Sequence, residues 1–402
     1  QLLIAAARRI EGVLRAGDMV ARVGGDEFAV LVRGVDTEHQ AVAVANRLLA
    51  ALEAPFHVGD RAVLTPASIG LAMATEGCTV EDLLANADVA MYRAKSSGRS
   101  CYDVFRPAMH QAVVDRMELE AELRRALAQE EFVVHYQPIV DLRQGTTAGV
   151  EALVRWQHPT RGLLSPGEFI GLAEETGLIG PLGRWVLREA CGQVAAWQRN
   201  GVAPGLRVSV NLSSRQLQEA DMEVEVAGVL RATRLDPADL ILEITESLMV
   251  DDSDQIMSRL RGLCALGVRL AIDDFGTGYS SLAYVSRLPV QVLKIDRSFV
   301  QAMGRSVEAA AVVRAILSLA SSLGFGAVAE GIEEPEQLAE LARLGCPFGQ
   351  GYHFSRPLPA AALEQFLAEE PEPAPLPALG TLRVVRSESL GARGSPGPPL
   401  AG

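Results

Sequence analysis

The sequence predicts an α/β protein, an α+β unit followed by a (β/α)8 TIM-like barrel. Three observations carry that expectation. The chain has 402 residues, too many for one ordinary hydrophobic core. In its second part, eight short apolar runs alternate with helical stretches, as in βα units. The residues at or near the ends of those runs are all polar or charged: Gln137, Glu151, Asn211, Glu243, Asp273, Lys294, Glu330 and Gln350. In a barrel of this kind the chemistry sits at the C-terminal ends of the strands.

In chain order, residues 1–106 read as the first unit. A helix is expected over Leu2–Leu14. Strands follow at Met19–Val23, Glu27–Val32, Arg61–Thr65 and Ser68–Ala72, from β-branched content and alternation. Helices over Thr37–Leu52 and Val80–Ala94 carry apolar residues at helical spacing. Residues 107–370 form the second domain, led by a linker helix that begins at Pro107. Its strands are expected at Phe132–Tyr136, Gly149–Ala152, Arg207–Val210, Leu240–Ile244, Arg269–Ile272, Val292–Ile295, Gly326–Ala329 and Phe348–Phe354. Residues 371–402 are rich in Pro, Gly, Ala and Ser and read as disordered, because they cannot bury enough surface to offset chain entropy.

Composition narrows the function. A net charge of −13 argues against a DNA or RNA polymer as partner, since like charges repel. The longest apolar stretch, residues 309–329, contains Arg314, Gly324 and Gly326 and reads as helix then strand, not as a membrane segment. Cys78, Cys101, Cys191, Cys264 and Cys346 are far apart and never in CxxC, which fits a reducing, cytoplasmic setting without a zinc site. The opening at Gln1, inside a helical pattern, reads as the interior of a longer protein, which could include a membrane-anchored one.

Four of the strand-end residues are carboxylates, where a barrel interior ordinarily holds Val, Ile and Leu. Burying them together without compensation would cost several kcal/mol each, roughly. Divalent cations are the simplest compensation, and oxygen-only ligands favour Mg2+ or Mn2+ over zinc. Singly, each residue has a plainer reading. Asn211 could cap a helix, Lys294 could sit in an ion pair, and Asp273-Asp274 could belong to an acidic turn.

Seven ordered blocks change that balance: GVEALVRW, VNLS, LEITES, DDFGTGYSSL, KIDRSFV, AEGIE and QGYHFSRP, between Gly149 and Pro357. Together they resemble the EAL family of cyclic di-GMP phosphodiesterases. The resemblance implies hydrolysis of cyclic di-GMP to linear pGpG with two Mg2+ or Mn2+ ions per site. Glu151, Asn211, Glu243 and Asp273 would hold the first metal, and Asp273, Asp274 and Glu330 the second. Lys294 would position the attacking water beside Asp274 and Glu330. Arg155, Gln137 and Gln350 would serve substrate binding, with Gln350 also holding the site's arrangement. Glu246 and Glu333 would support the neighbouring loops; the Asp273–Ser281 loop braced by Glu246 links catalysis to homodimerisation in that family. A non-catalytic cyclic di-GMP receptor is the alternative, but such receptors typically lack metal ligands that this sequence keeps.

The first unit carries Arg22-Val23-Gly24-Gly25-Asp26-Glu27-Phe28, which resembles the GGDEF motif of diguanylate cyclases. Arg15 and Asp18 lie at the spacing of that family's product-inhibition site, and Lys95 and Arg99 resemble its phosphate contacts. The resemblance implies GTP or cyclic di-GMP as ligand. The family's first strand and phosphate loop would precede Gln1, so a truncated, regulatory module without synthesis is expected.

Overall fold

The computed structural model describes residues 2–58, 61–75, 77–96, 100–246, 254–277 and 285–370. The expected disorder of 371–402, and Arg99, lie outside the described residues. The chain divides into two compact units, one ending at Gln129 and one starting at Glu130.

The first unit contains α1 (Leu2–Val13), β1 (Met19–Gly24), β2 (Glu27–Leu31), α2 (Glu38–Glu53), β3 (Phe56–Val58), β4 (Arg61–Val63), β5 (Ile69–Leu71), α3 (Val80–Ser96), β6 (Tyr102–Val104) and α4 (Ala108–Ala128). One cluster of its core is Ile10, Val44 and Leu48, with Val20, Phe28 and Val30 of the β1–β2 hairpin packed against them. Helix α2 starts where Thr37 and Gln40 form a reciprocal capping box. By contacts, the linker helix α4 groups with the first unit. Its His110 Nε2 lies 2.7 Å from Asn86 Oδ1 on α3, a contact that helical periodicity alone does not reveal.

The second unit contains β7 (Phe132–Asp141), β8 (Thr146–His158), β9 (Gly162–Leu164), α5 (Pro166–Thr176), α6 (Ile179–Arg199), β10 (Arg207–Asn211), α7 (Ser214–Leu217) and α8 (Met222–Thr233). Then come β11 (Leu240–Thr245), α9 (Asp254–Ala265), β12 (Arg269–Phe275), β13 (Val292–Ile295), α10 (Arg297–Ala302), α11 (Val307–Leu323) and β14 (Gly326–Ala329). The unit ends with α12 (Pro335–Arg343), β15 (Phe348–Gly349), β16 (Leu358–Pro359) and α13 (Ala360–Glu369). Strand order β7-β15-β14-β13-β12-β11-β10-β8, closed by β7 on β8, makes an eight-stranded barrel.

Two expectations need correction. The barrel is not a uniform repeat of βα units, since β7 runs antiparallel to both β8 and β15. Only residues 142–145 separate β7 from β8, with Gly145 at φ +71. A parallel crossover needs a dozen or more residues, so a hairpin is the one connection that fits. The last strand is also shorter than Phe348–Phe354. After Gly349 the chain turns, and Phe354 N and Ser355 N both bond Gly351 O instead of a neighbouring strand.

That turn depends on Gly351. A Cβ there would lie 2.1 Å from Ile332 O and 2.3 Å from Ile332 N, both backbone atoms. Gly351→Ala is therefore expected to destabilise the barrel by about 1–3 kcal/mol, the usual cost of overpacking. Urea unfolding followed by tryptophan fluorescence checks this, since Trp156, Trp185 and Trp197 all lie in the second unit. As expected for core packing, Trp156 and Trp197 are fully buried. No described helix is long and apolar enough to cross a membrane.

Candidate active site

Strand register brings distant carboxylates to one end of the barrel. Gln137 pairs with Glu151 across the hairpin, Asn211 with Glu243, and Thr245 with Asp273. Ile295 pairs with Ala329, so Lys294 and Glu330 end neighbouring strands, and Ala329 pairs with Gly349 just before Gln350. Apolar neighbours fix these positions: Val150, Val208, Leu242, Leu270, Ile272 and Leu293 are buried around them.

Lys294 is the centre of the site and is 1% exposed. Its Nζ lies 2.6 Å from Glu243, 2.7 Å from Glu330, 3.0 Å from Asp273 and 3.5 Å from Glu151. Burial alone would lower this ammonium's pKa, but the four carboxylates outweigh it and raise it well above that of a free lysine. One cation does not balance the anions. Asp274 lies beside Asp273 and Glu330, and ligand oxygens of those three carboxylates fall within 4.8 Å of one another. Asp274 adopts φ +53, a left-handed conformation that is costly for a residue other than glycine and clusters at functional sites.

The excess charge appears in the titration of the group. Burial pushes the Glu330 carboxyl up to about 8 against the pull of Lys294, and Asp273 and Glu151 add to the rise. Burial, Asp273 and Asp296 push Asp274 up to about 6. Glu243 is nearest to Lys294 yet is raised well above the usual range, by burial and by facing Glu151 and Asp273. Glu151 goes the other way despite burial. Lys294 and two amide donors, Gln350 Nε2 at 2.6 Å and Asn211 Nδ2 at 2.8 Å, hold it below the usual range.

The arrangement fits hard divalent cations. Every candidate ligand is an oxygen donor. Asn211 spends its amide nitrogen on Glu151, which leaves its carbonyl for a cation. Asp273 Oδ1 is buried and, although 3.0 Å from Lys294, makes no aligned hydrogen bond. Glu151, Asn211, Glu243, Asp273, Asp274 and Glu330 could together hold such ions. A second carboxylate group, Glu219, Asp221 and Glu225, is different. Arg184 already contacts two of its members, at 3.3 and 2.9 Å.

The remaining predicted residues separate. Arg155 is half-buried on β8, with Nη1 donating to Val154 O at 2.8 Å. Glu246 is buried and accepts from Gly276 N at 2.8 Å, at the start of the loop it was expected to brace; Ser281 lies outside the described residues. Glu333 is exposed and accepts from Gln301 Nε2 at 3.1 Å. Gln137 and Gln350 are buried and bond each other at 2.9 Å. Asp296 was missed by sequence reasoning. It reads as a helix cap and does accept from Ser298 N at 3.0 Å, yet it also faces Asp274. Its place two residues after Lys294 at a strand end was the available signal.

In the first unit, Gly24 and Gly25 turn the β1–β2 hairpin, with Gly25 at φ +47. Arg22 Nε donates to Gly25 O at 2.9 Å, which leaves Asp26 and Glu27 exposed and Phe28 packed inward. Asp18 accepts from Arg15 N at 2.9 Å and Arg33 N at 3.1 Å; these bonds hold its pKa below the usual range. The Arg15 and Lys95 side chains are exposed.

A family model described as "EAL domain" matches residues 120–357, and one described as "Diguanylate cyclase, GGDEF domain" matches residues 1–101. The EAL match begins inside α4, whereas contacts group that helix with the first unit. Among curated relatives, the bifunctional diguanylate cyclase/cyclic di-GMP phosphodiesterase MucR of Pseudomonas aeruginosa is 44% identical over 368 residues, 91% of this chain and 53% of that protein. The cyclic di-GMP phosphodiesterase PdeR of Escherichia coli is 39% identical over 368 residues, 91% of this chain and 55% of that protein. The chain thus spans about half the length of such relatives. A solved structure, "PaMucR Phosphodiesterase, c-di-GMP complex", is 46% identical and covers 61% of this chain and 99% of its own, with a TM-score of 0.59. The chain belongs to the EAL domain family, with a GGDEF segment preceding its barrel.

Proposed function

We propose that the barrel is a metal-dependent phosphodiesterase that opens cyclic di-GMP to linear pGpG. The observation that carries this reading is the convergence of Glu151, Glu243, Asp273 and Glu330 on Lys294 at one barrel end, with Asp274 beside Asp273 and Glu330. The named activities of MucR and PdeR support it. Two divalent cations, Mg2+ or Mn2+, would lower the pKa of water and offset phosphoryl charge when bound. The chain's own residues do the rest. Arg155 meets a non-bridging phosphate oxygen, with planar donors suited to it. Lys294 holds the carboxylates in one arrangement and offers Nζ–H to the attacking water. The water oxygen attacks phosphorus as one of its protons passes to a carboxylate of the Asp274–Glu330 pair, the P–O3′ bond breaks, and the departing 3′ oxygen takes up a proton from that carboxylate or from solvent, so that the products are a 5′-phosphate and a 3′-hydroxyl. Glu246 steadies the start of the loop that carries Asp273 and Asp274.

The GGDEF segment is read as a regulatory module that binds GTP or cyclic di-GMP through Gly24–Phe28 and Arg15/Asp18. A homodimer formed through the barrel and a cytoplasmic setting complete the proposal. The direct test is incubation with cyclic di-GMP and Mg2+, followed by product chromatography. Linear pGpG is expected, and no turnover by a cation-loaded sample refutes the reading. Replacing Mg2+ with Ca2+ is expected to preserve substrate binding by calorimetry and to suppress turnover. Calcium prefers ligand distances of about 2.3–2.6 Å against about 2.0–2.1 Å for magnesium, and so misplaces the water.

A further inference from the structure

Gln137 and Gln350 were expected to touch substrate, yet they are only 7% and 4% exposed. Three of their four amide atoms are engaged with protein, and Gln350 Oε1 is buried without a hydrogen-bond partner. Gln350 Nε2 donates to Glu151 Oε2 at 2.6 Å and to Gln137 Oε1 at 2.9 Å. Gln137 Nε2 donates in turn to Ser355 O at 3.1 Å. The result is a buried chain of contacts running from a carboxylate of the Lys294 cluster to the backbone of the segment after β15. The orientation of the Gln137 amide is set by its neighbours. A flipped amide would set its NH2 against the Gln350 NH2 and its oxygen against a carbonyl.

The far end of the chain is the Gly351–Arg356 segment. Tyr352 is 51% exposed, and the Arg356 guanidinium carbon lies 4.3 Å from its ring centroid. Tyr352 is also within electrostatic reach of Arg155. Ser355 O is therefore the backbone acceptor between two exposed groups that border the Arg155 side of the barrel mouth.

We propose that Gln137 is a positioning residue that couples the Glu151 carboxylate to the Gly351–Arg356 segment, so that cation affinity and substrate affinity are set together. The substrate half of this statement rests on the phosphodiesterase reading; the cation half does not. Gln137→Met keeps the side-chain volume and removes both hydrogen bonds. Gln137→Glu keeps an acceptor for Gln350, replaces the donor to Ser355 O with a second carboxylate oxygen that repels it, and adds a buried negative charge.

The experiment measures three quantities on the full chain and both variants: Mn2+ affinity by calorimetry, amide exchange at residues 351–356, and kcat and KM with cyclic di-GMP. His353 N and Ser355 N are hydrogen-bonded, so their exchange reports on the segment. For Gln137→Met, Mn2+ affinity is expected to fall about fivefold, less than the roughly 10–100-fold typical for a direct hydrogen-bond partner of a metal ligand. Exchange should accelerate and KM should rise more than kcat falls. For Gln137→Glu, exchange should accelerate without loss of Mn2+ affinity. Wild-type Mn2+ affinity and exchange in Gln137→Met overturn the proposal, as does activity loss accounted for by the folded fraction alone. If Gln137→Met does not fold, unchanged exchange in Gln137→Glu overturns it. Wild-type protein that binds Mn2+ but does not hydrolyse cyclic di-GMP refutes the phosphodiesterase reading, while calorimetry and exchange still decide the coupling. Wild-type protein that binds no Mn2+ overturns both.

Discussion

Glu151→Ala is expected to abolish hydrolysis of cyclic di-GMP while leaving the barrel folded. Glu151 is 5% exposed and lies at the meeting point of Lys294, Gln350 and Asn211. Its removal takes away a proposed cation ligand and releases the Asn211 amide. Turnover should fall by more than about a thousandfold, equivalent to about 4 kcal/mol of transition-state stabilisation. The fold should survive because Lys294 keeps Glu243, Glu330 and Asp273 as partners, and the cluster loses one of its mutually repelling anions. Two measurements check this. Product chromatography reads turnover, and thermal unfolding with and without Mg2+ reads the cation site. The midpoint in EDTA should stay near that of the wild type, and the rise on adding Mg2+ should shrink. Wild-type activity in this variant would remove Glu151 from the reaction.

Lys294→Met is expected to show the largest effect on stability. The side chain is buried and contacts four carboxylates within 3.5 Å. Methionine nearly preserves the volume but leaves buried anions without their cation. Breaking a buried ion pair from one side costs about 3–5 kcal/mol. That loss should be seen in EDTA and should be partly recovered by Mg2+ or Mn2+, which supply positive charge at the same place. The stabilisation by added cation should thus be larger in Lys294→Met than in the wild type. Turnover should still fall by about a hundredfold or more with cations present, because a preorganised charge has been removed. Equal stability of variant and wild type in EDTA would show that Lys294 does not balance this cluster.

Much of the site was readable along the chain because its members recur at the ends of apolar strands. Alternation of strand and helix depends on local side-chain patterning, and it located eight strands, of which Phe348–Phe354 proved to be only Phe348–Gly349. The strand-end residues Glu151, Asn211, Glu243, Asp273, Lys294 and Glu330 were named from position and chemistry, and all gather at one end of the barrel. The hairpin direction of β7 was also present in the sequence, in a connection of residues 142–145 that is too short for a crossover.

Other features belong to tertiary structure alone. Gln137 and Gln350 are 213 positions apart, and Gln350 and Glu151 are 199 apart, so their hydrogen bonds arise only when the barrel closes β7 against β8 and β15. Asp296 looks like a helix cap until the fold brings it against Asp274. Helix α4 has apolar spacing that would suit either unit, and its contact with α3 arises only in the fold. Local propensity and periodicity act over a few residues, and they determined which residues face inward at the strand ends. Ring closure determined which of those residues share hydrogen bonds and charge, because barrel register is set by packing between segments that chain order does not bring together.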